Sequence, residues 1–330
     1  MATALITGGT GFIGSHVARA LTEAGHTARV LRRPNSKLNL LEGIPVQHAL
    51  GDVMDADSLR AAMVGCDWVF HVAAIADYWR AQRVKMYLVN VEGTRRVLEA
   101  ARAAGVRRVV FTSSAAAVGL RPDGQPSDES DPFNLPPARF PYGHSKWLAE
   151  GLVQKAVATG QEVVILNPSV VFGPGDANLI SGSMITEAAR GVIPPLYPAG
   201  VVTAIDVRDV ARAHLAAAER GRTGERYILG TTDMRYAELF RLICELVGAK
   251  APTRALPVPL ADLASRFIGM AAALGLKLPV NADQVWLSAR RVCFDPRKAW
   301  HELGTPQISL AQSLTDTYQW YKANGYLSRG

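Results

Sequence analysis

Gly8, Gly9, Gly11 and Gly14 follow directly on the apolar run 4–7 and open the helix-like stretch 12–21, in the order TGGTGFIGSHVARAL. This pattern ties a strand to a helix through a turn whose backbone stays bare. Gly8 suits the tight turn, Gly11 leaves room for a pyrophosphate to reach the backbone, and Gly14 lets the helix pack closely on the sheet. Phe12 and Ile13 fall in the first helical turn, where unpaired N–H groups face an anion. With a strand before it and an amphipathic helix after it, the glycine turn predicts a dinucleotide site contacted by Gly8, Gly11, Phe12, Ile13 and Gly14.

Strand-like runs recur at 4–7, 27–31, 46–50, 68–72, 108–113 and 162–167, separated by helical patterns at 14–24, 56–64, 86–104 and 142–158. Gly25, Gly65, Gly105 and Gly160 each close a helical run just before the next strand, where a left-handed cap residue is favoured. The alternation predicts an α/β fold, a Rossmann-type doubly wound parallel sheet with a smaller, interwoven C-terminal substrate-binding region. Residues 1–167 are expected to form mainly the dinucleotide-binding domain and 168–330 mainly the substrate region. About 201–230 is expected to return to the nucleotide fold, through a strand entry and helix at 204–215 and a strand at 225–229. Pro174, Pro194, Pro195 and Pro198 interrupt the pattern around a helical segment at 179–190.

The chain of 330 residues with 48% hydrophobic content can bury a large core. Its net charge of +7 is dispersed through Arg19, Arg60, Arg102, Arg190 and Arg220, with no basic stripe interleaved with aromatics, so nucleic acid is not an expected partner. Cys66, Cys244 and Cys293 lack metal-ligand spacing and read as buried thiols, so no metal is expected. The longest apolar stretch, 267–276, is too short to cross a bilayer, and a membrane-surface contact is the most it offers. No secretory signal pattern opens the chain, which makes the cytoplasm the expected location.

The second strand ends in Arg32 and Arg33, followed by Lys37, where an NAD site presents an Asp or Glu to the ribose. A cationic cluster there matches the 2′-phosphate of NADP(H), with NAD(H) as the lesser cofactor; the plainer alternative is a solvated basic surface. After the third strand come Asp52 and Val53. The Asp52 carboxylate is placed either near the adenine amino group or as the cap of the helix beginning near Asp55. After the fourth strand, the small residues Ala73 and Ala74 allow a cofactor to lie close, or simply pack tightly.

Tyr142 and Lys146 are four apart at the start of a helix and share a face. A phenol titrates near pH 10 and needs activation to pass a proton to a carbonyl oxygen; a neighbouring ammonium supplies it and can also bond the nicotinamide ribose. Ser114, at the end of the fifth strand, is the candidate for holding a substrate carbonyl, with Thr112 and Ser113 on the cofactor side or in the local turn. A serine-hydrolase reading of Ser114 with His71 or His144 lacks a GxSxG elbow and an orienting acid. Tyr78, Trp79, Phe172 and Leu179, with Tyr87, Phe133 and Tyr197, offer apolar bulk for an alicyclic or aromatic substrate, or for packing.

TGGTGFIG at 7–14, GDV at 51–53, HVAA at 71–74, Asn90 in NVEGT, FTSSAAAVG at 111–119, YGHSK at 142–146 and NPSVVFGPG at 167–175 stand in one order. In this the chain closely resembles the extended short-chain dehydrogenase/reductase family, most of all its dihydroflavonol-4-reductase-like branch. The resemblance implies that Ser114, Tyr142 and Lys146 are catalytic and that Pro168 and Ser169 flank the nicotinamide. It also implies that Asn90 supports the active-site geometry. The expected activity is NADPH-dependent reduction of an aldehyde or ketone, with a small carbonyl or alcohol as substrate and a possible homodimer formed through the helix at 92–103. A nucleotide-sugar epimerase or dehydratase, for which Arg190, Arg208 and Arg212 are available cations, and a non-catalytic NADP(H) sensor are the alternatives.

Overall fold

The computed structural model describes residues 1–76, 82–276, 278 and 281–327. Its strands are β1 (Thr3–Thr7), β2 (Thr27–Arg32), β3 (Gln47–Leu50), β4 (Trp68–His71), β5 (Arg108–Thr112), β6 (Val163–Pro168), β7 (Val170–Phe172), β8 (Tyr197–Pro198), β9 (Val201–Asp206), β10 (Arg226–Leu229), β11 (Thr232–Arg235), β12 (Ala255–Leu256) and β13 (Arg291–Val292). The helices are α1 (Phe12–Glu23), α2 (Ala56–Met63), α3 (Arg83–Tyr87), α4 (Gly93–Ala103), α5 (Pro141–Ala158), α6 (Ser183–Ala189), α7 (Val207–Arg220), α8 (Tyr236–Val247), α9 (Val258–Ala273), α10 (Ala282–Ser288), α11 (Arg297–Glu302) and α12 (Leu310–Ala323).

Seven strands form one parallel sheet in the order β10-β6-β5-β4-β1-β2-β3, the doubly wound order with its reversal between β1 and β4. β1, β4, β5 and β6 are buried on both faces, which is why they read as continuous apolar runs. One face packs on α1 and α7 through Val17, Leu21, Val210 and Ala217; the other packs on α2, α4 and α5 through Leu59, Met63, Val97 and Val153. Gly25, Gly105 and Gly160 take φ of 79°, 67° and 89°. Each ends its helix in a Schellman motif, as in Gly25 N–H to Thr22 O and His26 N–H to Leu21 O.

The second half of the chain is spread over several units. β9 joins β7, β11 and β13 in a small sheet, α7 packs against α1, and β10 closes the edge of the main sheet. A separate apolar cluster joins Phe172, Ile185, Leu239, Ile243 and Leu314. The predicted single helix at 86–104 is two helices joined by a π turn at 88–92. The extra residue of that turn accompanies an inward-facing Asn90 whose amide is bonded to other elements.

Candidate functional site

The glycine turn is shaped by contacts that exclude side chains. Gly8 has φ 74°, and a Cβ there would meet Ala73 N at 2.7 Å; a Cβ on Gly14 would meet Gly8 O at 2.2 Å. β1, α1 and the loop after β4 therefore converge as bare backbone, with Gly11 N–H bonded to Gly8 O at 3.0 Å. Phe12 and Ile13 are half-buried against the core. His16, one turn further along α1, ties the turn to the Gly173–Gly175 loop through Pro174 O at 2.8 Å, a link the sequence reading did not include.

At the end of β2, Arg32 is half-buried, and its Nε is buried with no hydrogen-bond partner among the described residues. A buried guanidinium N–H in that condition lacks an acceptor. Arg33 and Lys37, which follow Arg32 in the loop after β2, are exposed. The two readings of Asp52 separate: Asp55 caps α2 by accepting from Asp57 and Ser58 N–H, while Asp52 Oδ1 accepts only locally, from Met54 N–H at 2.9 Å. Val53 packs its side chain into the core with Leu31 and Leu59, so it offers a ligand no more than backbone.

The loop after β4 hangs on a chain of hydrogen bonds with one consistent direction. Ala73 N–H donates to Thr7 Oγ1 (3.3 Å), whose proton goes to His71 Nδ1 (2.8 Å). His71 Nε2–H donates to Thr94 Oγ1 (3.0 Å), and Thr94 donates to Asn90 O (2.7 Å). This arrangement needs a neutral imidazole, and burial, with the Lys146 charge adding to it, pulls His71 down to about 3. Asn90 then bonds Ile75 in both directions, accepting its N–H at 2.8 Å and donating to its O at 3.1 Å, and donates to Ser145 Oγ at 3.0 Å. Ser145 in turn bonds Tyr142 O at 2.7 Å. His71, offered as a partner for Ser114 in the hydrolase reading, is thus committed to structural hydrogen bonds with Thr7 and Thr94.

α5 starts with Pro141 at its first position, which fixes φ where no N–H is needed. Tyr142, Lys146 and Glu150 follow at spacings of four, and all three are buried. The Lys146 ammonium donates to Thr112 O at 2.7 Å and lies 5.0 Å from the centre of the Phe111 ring. Burial brings it down to about 7, against an opposing pull from Glu150. Glu150, pushed up by burial, is held by Ser113 Oγ (2.5 Å), Asn167 Nδ2 (2.7 Å) and Arg226 (3.1 Å). Glu150 was missed from the sequence, although the same spacing of four that linked Tyr142 to Lys146 extends to it.

Ser114 is buried, and its Oγ accepts from Ala116 N–H at 3.2 Å, which leaves its own proton for another acceptor. Its carbonyl is fixed by Asn167 Nδ2 at 2.9 Å. Gly143 brings α5 onto this loop, since a Cβ there would meet Ala116 O at 2.3 Å. Thr112 contributes its carbonyl to the site; its hydroxyl is committed to His214 Nε2 at 2.7 Å. At the end of β6, Pro168 is buried, and Ser169 Oγ is buried without a hydrogen-bond partner among the described residues.

The substrate-side expectations fare differently. Phe172 is packed in the core: β7 pairs with β9, α12 packs on both, and Phe172 is 1% exposed against Ile185 and Leu314. Leu179, with φ 53°, is half-buried against the same cluster. Tyr78 and Trp79 lie outside the described residues. Tyr87 OH is bonded to His144 Nδ1 at 2.9 Å, and Phe133 packs on His144 and Trp147. A cavity of about 460 Å³ opens between α9, α10 and Arg139, which lies in the turn just before α5. Among the described residues no cluster of side chains could hold a metal ion, and no helix is long and apolar enough to cross a membrane.

The NAD dependent epimerase/dehydratase family model matches residues 4–230. A dihydroflavonol 4-reductase-like protein of Synechocystis sp. is 38% identical over 98% of this chain and 95% of its own length. Cinnamoyl-CoA reductase 1 of Oryza sativa is 37% identical over 73% of this chain and 75% of its own. Among solved structures, a nucleoside-diphosphate-sugar epimerase from Pseudomonas aeruginosa superposes with a TM-score of 0.83 at 29% identity, covering 99% of both chains.

Proposed function

Because this chain belongs to the NAD dependent epimerase/dehydratase family and is an oxidoreductase of the extended short-chain dehydrogenase/reductase type, we propose that it reduces an aldehyde or ketone with NADPH, Tyr142 delivering the proton. The observation that carries this reading is the buried face of α5, where Tyr142 and Lys146 lie one turn apart beside Ser114.

The residues present fit a phosphorylated dinucleotide. Gly8, Gly11 and Gly14 leave the pyrophosphate a bare turn at the N-terminus of α1, and the unpartnered Arg32 Nε suits a 2′-phosphate, with the exposed cations Arg33 and Lys37 in the loop that follows. Asp52, Ala73, Ala74, Pro168 and Ser169 complete the expected contacts. When bound, the nicotinamide supplies the hydride.

The protein supplies position and proton. Ser114 keeps its hydroxyl proton to donate to the substrate oxygen, which orients the carbonyl and stabilises charge developing on it. Tyr142 passes its phenolic proton to the same oxygen. Lys146, in its charged form, favours the phenolate that remains and reaches toward the ribose. Glu150 partly offsets the cost of burying that ammonium. The dihydroflavonol and cinnamoyl-CoA named in the relatives support an aromatic carbonyl as substrate.

A sugar-nucleotide epimerase would use the same core, and the Pseudomonas structure supports that alternative. The latter-half cations weigh against it: Arg208 is engaged by Asp206 and Asp316, Arg212 by Asp209, and Arg190 by Tyr326 O. A coenzyme-resolved screen tests the proposal. Stoichiometric NADPH loss with a carbonyl panel is expected; conversion of a nucleotide sugar without net coenzyme consumption would overturn it.

A further inference from the structure

Helix α9 packs with its small residues inward. It buries Ala261 and Ser265 and turns Leu260, Leu263, Phe267, Met270 and Leu274 outward, at 52%, 49%, 58%, 59% and 83% exposure. Steps of three and four place these five on one stripe along the helix. Val258, Leu276 and Leu278 are exposed as well, so that half of the large exposed apolar side chains among the described residues fall between 258 and 278. A stripe of this size stays in water only at a cost proportional to its area, and contiguous exposed apolar surface marks a contact site.

The charge around the stripe is one-sided. From 248 to 278 the sequence carries Lys250, Arg254, Arg266 and Lys277 against the single carboxylate of Asp262. Asp262 is already paired with Arg290 at 2.7 Å, while Lys250, Arg254 and Arg266 are exposed. An exposed apolar stripe in a segment whose exposed cations outnumber its carboxylates is the pattern that binds an anionic lipid interface.

We propose that α9 lies flat on an anionic bilayer surface, with Leu260, Leu263, Phe267, Met270 and Leu274 at the acyl boundary and Lys250, Arg254 and Arg266 on headgroup phosphates. The helix is far too short in apolar length to cross the bilayer, so it rests in the interface. A second copy is a poorer occupant. At 1.5 Å per residue α9 is about 24 Å long, and a strip that long and about 10 Å wide offers each copy only a few hundred Å², short of the roughly 800 Å² per partner of a stable interface. A bilayer sets no such minimum, because each apolar group that enters contributes separately.

The test is co-flotation of the full-length protein with vesicles of phosphatidylcholine, with and without phosphatidylglycerol. The protein is expected to float with the anionic vesicles, and Leu263→Glu/Phe267→Glu to lower the bound fraction about tenfold. Lys250→Glu/Arg254→Glu, and high salt on the unaltered protein, are expected to lower it several-fold. Circular dichroism and NADPH binding of both variants report that they are folded. The proposal is overturned if the protein stays with the lipid-free fraction, or if the Leu263/Phe267 variant floats equally well. It is also overturned if light scattering finds a lipid-free dimer that this variant turns into a monomer, which would make the stripe an interface between copies.

Discussion

Asn90 and Ser145 are hydrogen-bonded at 3.0 Å across the gap between the π turn and α5, and the same amide clasps both backbone groups of Ile75. One side chain thereby ties the loop after β4, the π turn and the Tyr142 helix together. Asn90→Ala leaves the Ile75 N–H without its partner and should cost about 1–3 kcal/mol of stability. Misplacement of α5 should lower kcat by up to about a hundredfold. Thermal melts and steady-state kinetics check this; unchanged kcat in a folded variant would remove Asn90 from any positioning role.

Tyr142→Phe keeps the ring and removes the transferable proton. Turnover should fall by about 10²–10⁴-fold, with NADPH affinity changed little. Isothermal titration beside single-turnover kinetics separates the two, and retained turnover would reject the role assigned to Tyr142.

Arg32→Ala removes the unpartnered guanidinium at the end of β2. A charge-assisted bond to phosphate is worth about 1.5–3 kcal/mol, so NADPH binding should weaken about tenfold or more while NADH binding is unchanged. Equal losses for both coenzymes would contradict recognition of the 2′-phosphate.

Gly143→Ala places a methyl 2.3 Å from Ala116 O, whereas at Gly151, on the same helix, an added Cβ meets nothing within 4 Å. The first substitution should destabilise by about 1–3 kcal/mol and depress kcat. The second should be neutral or stabilise by up to about 1 kcal/mol, through helix propensity alone. Denaturant titration of the pair checks whether contact between α5 and the Ser114 loop matters.

His71 stays neutral in the folded protein down to about pH 3, whereas an unfolded histidine titrates near 6.5. As pH falls, the unfolded chain takes up the proton first. The stability held by this group is therefore intact above about pH 6.5 and lost progressively toward pH 3. Between pH 7.5 and 4.5 the parent should lose about 2–3 kcal/mol more than His71→Gln, by urea denaturation at each pH. Identical losses would place the acid sensitivity elsewhere.

Local chemistry made much of this protein legible from its residues in order. The strand, glycine turn and helix at the start, the buried apolar strands and the glycine helix stops each depend on near neighbours in sequence, so the doubly wound sheet could be inferred. The spacing of Tyr142 and Lys146 follows from helix geometry alone. What tertiary structure decided concerns groups whose partners are remote. Phe172 reads in the sequence as a bulky apolar residue of undecided facing, and only the packing of α12 on β7 and β9 shows how deeply it is buried. His71 becomes a neutral brace because Thr7 and Thr94 reach it from two other elements. Glu150 gains its place from Ser113, Asn167 and Arg226, brought together by the parallel sheet. The apolar run 267–276 at the end of α9 was visible in the sequence as at most a membrane-surface contact, but which way its stripe turns was not, because that depends on what the rest of the chain packs against.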